Sequence, residues 1–104
     1  MNIEEKLNYI CAMSSTQQVI LVTVEELAEL TQALSKLGRS LRGDITLRKE
    51  FIPITKGITE EIADVYITIC QVRRKFKIDD DCICDIIDKK VERTYKKLTQ
   101  NIQE

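Results

Sequence analysis

Two short acidic motifs hold the residues of this chain that are best suited to bind a metal ion. The first contains Glu25, Glu26 and Glu29, set among apolar residues such as Leu27 and Leu30. Side chains three or four positions apart are neighbours on a helix, so these like charges repel and lower helix stability by roughly 0.2–0.5 kcal/mol per pair. Carboxylates crowded beside core positions therefore indicate a role other than solubility.

The second motif lies about thirty residues further along the chain. Glu61 and Asp64 are three positions apart, follow Glu60, and stand beside Ile62 and Val65. If the two segments form helices that pack antiparallel, the carboxylates that converge are those of Glu26, Glu29, Glu61 and Asp64. Such a cluster needs a cation, and hard divalent ions prefer oxygen ligands. The sequence therefore predicts a Mg²⁺ site, with Mn²⁺ as the alternative ion.

The composition predicts one all-α domain over residues 1–104. Hydrophobic residues make up 43% of the chain and aromatic residues only 5%, so the core is aliphatic. With 3 Gly and 1 Pro there are too few turn signals for a fold of many short strands. The net charge of −1 gives no reason to expect nucleic acid or an anionic membrane as a partner. No apolar run approaches the ~20 residues of a membrane span.

Histidine and cysteine usage narrows the chemistry further. The chain has no histidine, which excludes Ser-His-Asp and Cys-His hydrolases and the HExxH zinc proteases. Its four cysteines form no CxxC pair, so we expect free thiols in a reducing cytoplasm, with Cys11 and Cys70 in the core. The acidic, amphipathic beginning of the chain does not resemble a signal peptide, which also favours the cytoplasm.

Hydrophobic spacing and capping residues predict four helices. The first covers Asn2 to Met13, and the second runs from about Gln17 to Leu37 with Gly38 as its C-terminal cap. A polar connection from Arg39 to Phe51 ends at Pro53 and Gly57, and the third helix begins near Thr59 as N-cap. The third helix is apolar on more than one side, so it should have two partners, including another subunit. We interpret Asp79, Asp80 and Asp81 as the residues that cap the fourth helix.

The fourth helix supplies positive charge. Its polar side carries the candidate phosphate-binding residues Lys90, Arg93, Lys96 and Lys97. A polyphosphate site typically combines metal-binding carboxylates with nearby cations, and here the carboxylates lie on two helices and the cations on a third. A metal-bound water is then the nucleophile, and Glu25 or Glu60 could orient or deprotonate it. Lys36 and Arg39 lie downstream of the first motif, where phosphate binding and capping of the second helix explain them equally well.

The two motifs together resemble a known family signature. Glu25-Glu26-Leu-Ala-Glu29 followed by Glu61-Ile-Ala-Asp64 is similar to the EExxE…ExxD pattern of the MazG-like all-α nucleoside triphosphate pyrophosphatases, and the similarity extends from about Gln17 to Leu98. The family's K-x-x-x-N-x-R segment has its lysine at Lys90. Thr94 stands in place of its asparagine and Lys96 in place of its arginine.

The resemblance implies a fold, a reaction and a set of ligands. It implies a four-helix bundle assembled as a homodimer or homotetramer. The implied activity is Mg²⁺-dependent hydrolysis of a (deoxy)nucleoside triphosphate to the monophosphate and pyrophosphate, by attack at the α-phosphorus. Glu25 matches a second-metal ligand or a water-orienting base, and the implied metal ligands are Glu26, Glu29, Glu61 and Asp64.

Two alternatives remain open at the level of sequence. One is a phosphoribosyl-ATP pyrophosphatase, an enzyme that uses the same metal chemistry on another substrate. The other is a helical oligomerisation or regulatory module that binds metal or nucleotide without turnover. A pyrophosphate-release assay separates the second alternative from both enzymes.

Overall fold

The computed structural model describes the backbone of residues 1–41 and 47–103, and the side chains of residues 1–41 and 53–100. These ranges form four helices, namely α1 (Ile3–Met13), α2 (Thr16–Ser40), α3 (Leu47–Phe76) and α4 (Asp80–Gln103). They contain no strand, which confirms the predicted all-α class. Of the helices described, none combines the length and the apolar character that crossing a membrane requires.

Side-chain caps define where α1, α2 and α4 begin. The Asn2 side chain accepts a hydrogen bond from the N–H of Glu5 (2.8 Å). Ser15 and Gln18 form a reciprocal capping box, in which each side chain accepts from the other's backbone N–H at 3.1 and 2.9 Å. The Asp79 carboxylate accepts from the N–H of Asp81 (3.2 Å). This bond agrees with the interpretation of the acidic triplet as a cap.

The end of α2 differs from the prediction. Gly38 lies inside the helix, which continues to Ser40, and the N–H of Leu41 still donates to the carbonyl of Leu37 (3.1 Å). Apart from its chain neighbours and its own helix backbone, no described residue has an atom within 4 Å of the position where a Cβ on Gly38 would stand. The prediction of Gly38 as the cap was therefore wrong, because a glycine ends a helix only where a left-handed backbone is needed.

The beginning of α3 also differs. Pro53, Gly57 and Thr59 were expected to end a connection and to cap the helix, yet all three lie inside α3. The Thr59 hydroxyl donates to the carbonyl of Thr55 (2.7 Å), as threonines do inside a helix. Half-buried Ile54 and Ile58 explain the longer helix, since packing on α2 outweighs the roughly 1 kcal/mol cost of a helical glycine. The predicted connection falls partly on residues 42–46, which lie outside the described residues.

α3 is the central helix, because both α2 and α1 pack against it. Its Val65 is buried, as are Val19 of α2 and Cys11 of α1, and the core position of Cys11 was predicted. Polar bonds tie α1 to α3. Gln71 Nε2 donates to the carbonyl of Leu7 (3.1 Å), and Arg74 bonds to the side chains of Asn8 and Glu4, both at 2.7 Å.

α4 packs along none of the other described helices. Five large apolar side chains on it are more than half exposed, and we call them the α4 stripe: Ile86, Ile87, Val91, Tyr95 and Leu98. The whole chain exposes 8830 Å², whereas a compact monomer of this mass exposes about 6000 Å². Its radius of gyration is 18.2 Å, compared with about 13 Å for a compact chain of this length. One chain therefore leaves much of its apolar surface uncovered.

Candidate metal centre

The two acidic motifs face each other because α2 and α3 run antiparallel. Leu21 and Val22, early in α2, line a cavity of about 560 Å³ together with Ile67 and Thr68, late in α3. Near the other end of α2, Lys36 and Ser40 line a cavity of about 320 Å³ with Pro53 and Gly57. This register places the middle of α2, where the first motif lies, opposite the second motif.

Three carboxylates meet at this position. One oxygen from each of Glu26, Glu29 and Glu61 lies within 4.8 Å of the other two. We call these three residues the carboxylate cluster. Glu26 and Glu29 are one turn apart on α2, while Glu61 comes from α3. Glu26 and Glu61 are half-buried and Glu29 is exposed, so the cluster lies at the edge of the α2–α3 interface.

The cluster is electrostatically costly when no cation is bound. Desolvation by burial, followed by the charges of Glu29 and Asp64, raises the pKa of Glu26 above its usual value of 4.5. The same causes in the same order raise the pKa of Glu61. Low solvation and like charge both disfavour the ionised carboxylate. Both residues therefore favour either a proton or a metal ion at this position.

Two buried oxygen atoms point to a missing partner. Oε2 of Glu26 and Oε2 of Glu61 are shielded from solvent, and neither has a hydrogen-bond partner among the described residues. A shielded acceptor without a partner is unfavourable, and a charged one more so. Mg²⁺ binds oxygen at about 2.1 Å, so its ligand oxygens lie about 3 to 4.2 Å apart. The cluster needs only small side-chain adjustments to reach this spacing, so its residues fit the ion.

The other acidic candidates surround the cluster. Asp64 is exposed and lies outside the group of three, but its charge acts on both Glu26 and Glu61. Glu60 is exposed, and its charge adds to the effect on Glu61. Glu25 is exposed and outside the cluster. Asp64 is therefore close enough for its charge to act on the cluster, whereas Glu25 and Glu60 are exposed residues next to the two motifs.

A cleft beside the cluster contains positive charge from α2. It has a volume of about 630 Å³, and we call it the α2 cleft. Its lining includes Glu29 and Glu61 of the cluster as well as Lys36 and Arg39. Gln32 also lines it, and only its helical spacing from Glu29 could have identified this residue in the sequence. The cations that line this cleft together with the carboxylates thus come from α2.

The basic residues of α4 are not brought to the cluster within one chain. They line a shallow surface made only of α4 residues, which includes Arg93, Lys96 and Lys97. Lys96 lies 4.0 Å from Glu92, an exposed pair of neighbouring turns. Since α4 packs along no other described helix, the phosphate-binding role of Lys90 and these residues stays a prediction.

Known proteins provide no further guide to this site. Comparison of the chain with protein-family models, with curated proteins and with solved structures finds no match. The function of the site must therefore follow from its own residues and geometry.

Proposed function

We propose that this chain is a Mg²⁺-dependent hydrolase of the MazG-like all-α type, which cleaves a (deoxy)nucleoside triphosphate to the monophosphate and pyrophosphate. The observation that carries the proposal is the carboxylate cluster. Three carboxylates from two helices lie within 4.8 Å of one another, and two of them hold shielded oxygens without a partner among the described residues. An ordinary charged helix face would keep such groups apart and hydrated.

The ligand roles follow from position. Glu26, Glu29 and Glu61 would hold the metal, and Asp64, from the next turn of α3, would complete the ligand set. When bound, the ion stabilises negative charge on the phosphoryl oxygens and lowers the pKa of a bound water. Either Glu25 or Glu60, both exposed beside the motifs, would orient the attacking water or accept its proton.

The reaction needs no protein nucleophile. Water oxygen forms a bond to the α-phosphorus, the bond from that phosphorus to the bridging oxygen of the β-phosphate breaks, and pyrophosphate leaves with the bridging oxygen. The proton lost by the water passes to a carboxylate at the edge of the cluster. This balance fits a chain without histidine, in which carboxylates are the available bases near neutral pH.

A second copy of the chain belongs to the proposed enzyme. The α4 stripe and the apolar cavity between α1, α2 and α3, lined by Met13, Leu21 and Ile67, both lack a cover among the described residues of one chain. Packing between two or four copies covers such faces and completes helix bundles between chains. The same assembly offers the cations of α4 a route to the carboxylate cluster of another copy.

The test is release of pyrophosphate from a panel of ribo- and deoxyribonucleoside triphosphates with Mg²⁺. Wild type should release pyrophosphate, and Glu29→Gln or Asp64→Asn should lower kcat by about 100-fold or more, because a metal ligand supports several kcal/mol of charge stabilisation. Glu5→Gln, an exposed glutamate of α1, is the control and should keep wild-type activity.

Circular dichroism shows whether each variant remains helical. Full activity in Glu29→Gln or Asp64→Asn would overturn the ligand assignment. Binding of Mg²⁺ and nucleotide without any release of pyrophosphate would overturn the proposed hydrolysis, and would instead support a non-catalytic module.

A further inference from the structure

We infer that Lys36 and Arg39 bind the phosphate chain of the substrate from the α2 cleft, an inference that rests on the proposed function. Both residues line the cleft together with Glu29 and Glu61. The inference assigns the phosphate-binding charge to the helix that also carries two of the metal ligands. Lys36 and Arg39 thus join the α4 cations as candidate phosphate-binding residues, and they lie beside the carboxylate cluster within one chain.

Helical spacing places the pair in line with the cluster. Glu29, Lys36 and Arg39 are separated by seven and three positions, so they share one face of α2 with Gln32 between them. At 1.5 Å per residue, Lys36 lies about 10 Å and Arg39 about 15 Å along the axis from Glu29. A ligand that touches the cluster and extends along the cleft therefore passes from carboxylates to cations.

Among the residues whose side chains the structure describes, the two cations Lys36 and Arg39 have no ion-pair partner. Arg74, near the end of α3, behaves differently, since it pairs with Glu4 and donates to the carbonyl of Cys70 (3.2 Å). No described side-chain hydrogen bond joins Lys36 or Arg39 to a helix carbonyl in this way, so within the described residues neither side chain is engaged by the end of α2 through a direct hydrogen bond.

The charge order of the cleft identifies the ligand class. A metal ion alone would bind to the carboxylate cluster, and the positive charges of Lys36 and Arg39 would not stabilise it. A simple anion would be repelled by Glu29 and Glu61. A polyphosphate with bound Mg²⁺ matches both ends, because carboxylates hold the metal while Lys36 and Arg39 neutralise the remaining phosphate oxygens.

The test compares Lys36→Ala/Arg39→Ala with Lys6→Ala/Lys75→Ala, which removes the same charge from α1 and the distal end of α3. Two ligands are titrated into the full-length protein by calorimetry, namely Mg²⁺ alone and inorganic tripolyphosphate with Mg²⁺. Steady-state kinetics on the best nucleotide substrate give KM and kcat separately. A third variant, Lys36→Arg, keeps the positive charge.

Each lost charge-assisted contact should weaken binding about tenfold. We expect the cleft variant to raise the tripolyphosphate Kd and the nucleotide KM by about tenfold to 100-fold, with Mg²⁺ affinity near the wild-type value and with Lys36→Arg restoring much of the loss. The control pair should change neither constant by more than about twofold.

The outcomes separate this inference from the proposed function. If wild type hydrolyses nucleotide and the cleft variant keeps its KM and Kd, the inference is overturned while the hydrolase stands. If wild type shows no hydrolysis but binds tripolyphosphate, the proposed activity fails, and a weaker Kd in the cleft variant still supports phosphate binding at Lys36 and Arg39. Absence of tripolyphosphate binding to wild type overturns the inference.

Discussion

A charge placed on the α4 stripe should break the proposed oligomer. Leu98 is 60% exposed within one chain, although it belongs to the apolar side of α4. Leu98→Asp is the perturbation, and Gln100→Asp is the control, since two positions on a helix correspond to about 200° and so to the opposite side. Both changes add one negative charge to an exposed position of the same helix, but only Leu98→Asp places it on the apolar face, where it also removes a leucine.

The magnitude follows from the exposed surface. The chain exposes 8830 Å², about 2800 Å² more than a compact monomer of its mass, whereas a standard interface buries about 800 Å² per partner. Full burial of a leucine contributes about 1.5–3 kcal/mol, so covering the exposed 60% of Leu98 contributes about 1–2 kcal/mol in each copy. In a symmetric dimer, Leu98→Asp should therefore weaken association by at least about 30-fold to 1000-fold.

Light scattering coupled to size-exclusion chromatography measures the outcome over a range of concentrations. Wild type and Gln100→Asp should have at least twice the 12.0 kDa mass of one chain, and Leu98→Asp should dissociate at much higher concentrations. A wild type with the mass of one chain at about 100 μM would refute the reasoning, since interfaces of standard size persist there. Equal behaviour of the two aspartate variants would show that the α4 stripe is not the interface.

Two further predictions concern stability. Because Glu26 and Glu61 have raised pKa values in the folded state, their contribution to stability is complete below pH 4.5 and is lost as pH rises through the raised pKa values. Mg²⁺ should therefore raise the melting temperature more at about pH 7.5 than at about pH 5. Glu26→Gln should weaken both the pH dependence of stability and the pH dependence of the Mg²⁺ effect. An identical Mg²⁺ shift at the two pH values would contradict this reasoning. Ser15→Ala removes one bond of the capping box and should cost about 1 kcal/mol, or roughly 4–8 °C in Tm. Gln17→Ala, one position into the exposed start of α2, is the control for thermal melting, and an equal loss there would argue against the cap.

Local signals predicted most of the fold. The starts of α1, α2 and α4 follow from Asn2, Ser15 and Asp79, whose side chains bond to backbone N–H groups a few positions later. Such bonds depend only on neighbours in sequence. Gly38 and Pro53 misled the prediction for the opposite reason, because tertiary packing between α2 and α3 extends both helices past residues that would end them in isolation.

The candidate metal centre likewise combines features that the sequence shows with features that only helix packing determines. The residue types and the three-residue spacing of Glu26 with Glu29, and of Glu61 with Asp64, are properties of the sequence, and they were sufficient to nominate a metal site. The approach of Glu61 to within 4.8 Å of the α2 carboxylates depends on the register of two antiparallel helices, which no local pattern specifies.

The placement of positive charge is what only the tertiary structure decided. From the sequence alone, capping and phosphate binding explained Lys36 and Arg39 equally well. The basic face of α4 held more of the candidate phosphate-binding residues. The fold brings Lys36 and Arg39 into one cleft with Glu29 and Glu61 and leaves α4 unpacked on the helices that carry the cluster. The physical reason is that helix periodicity determines which side chains share a face, whereas the packing of one helix on another determines which faces meet.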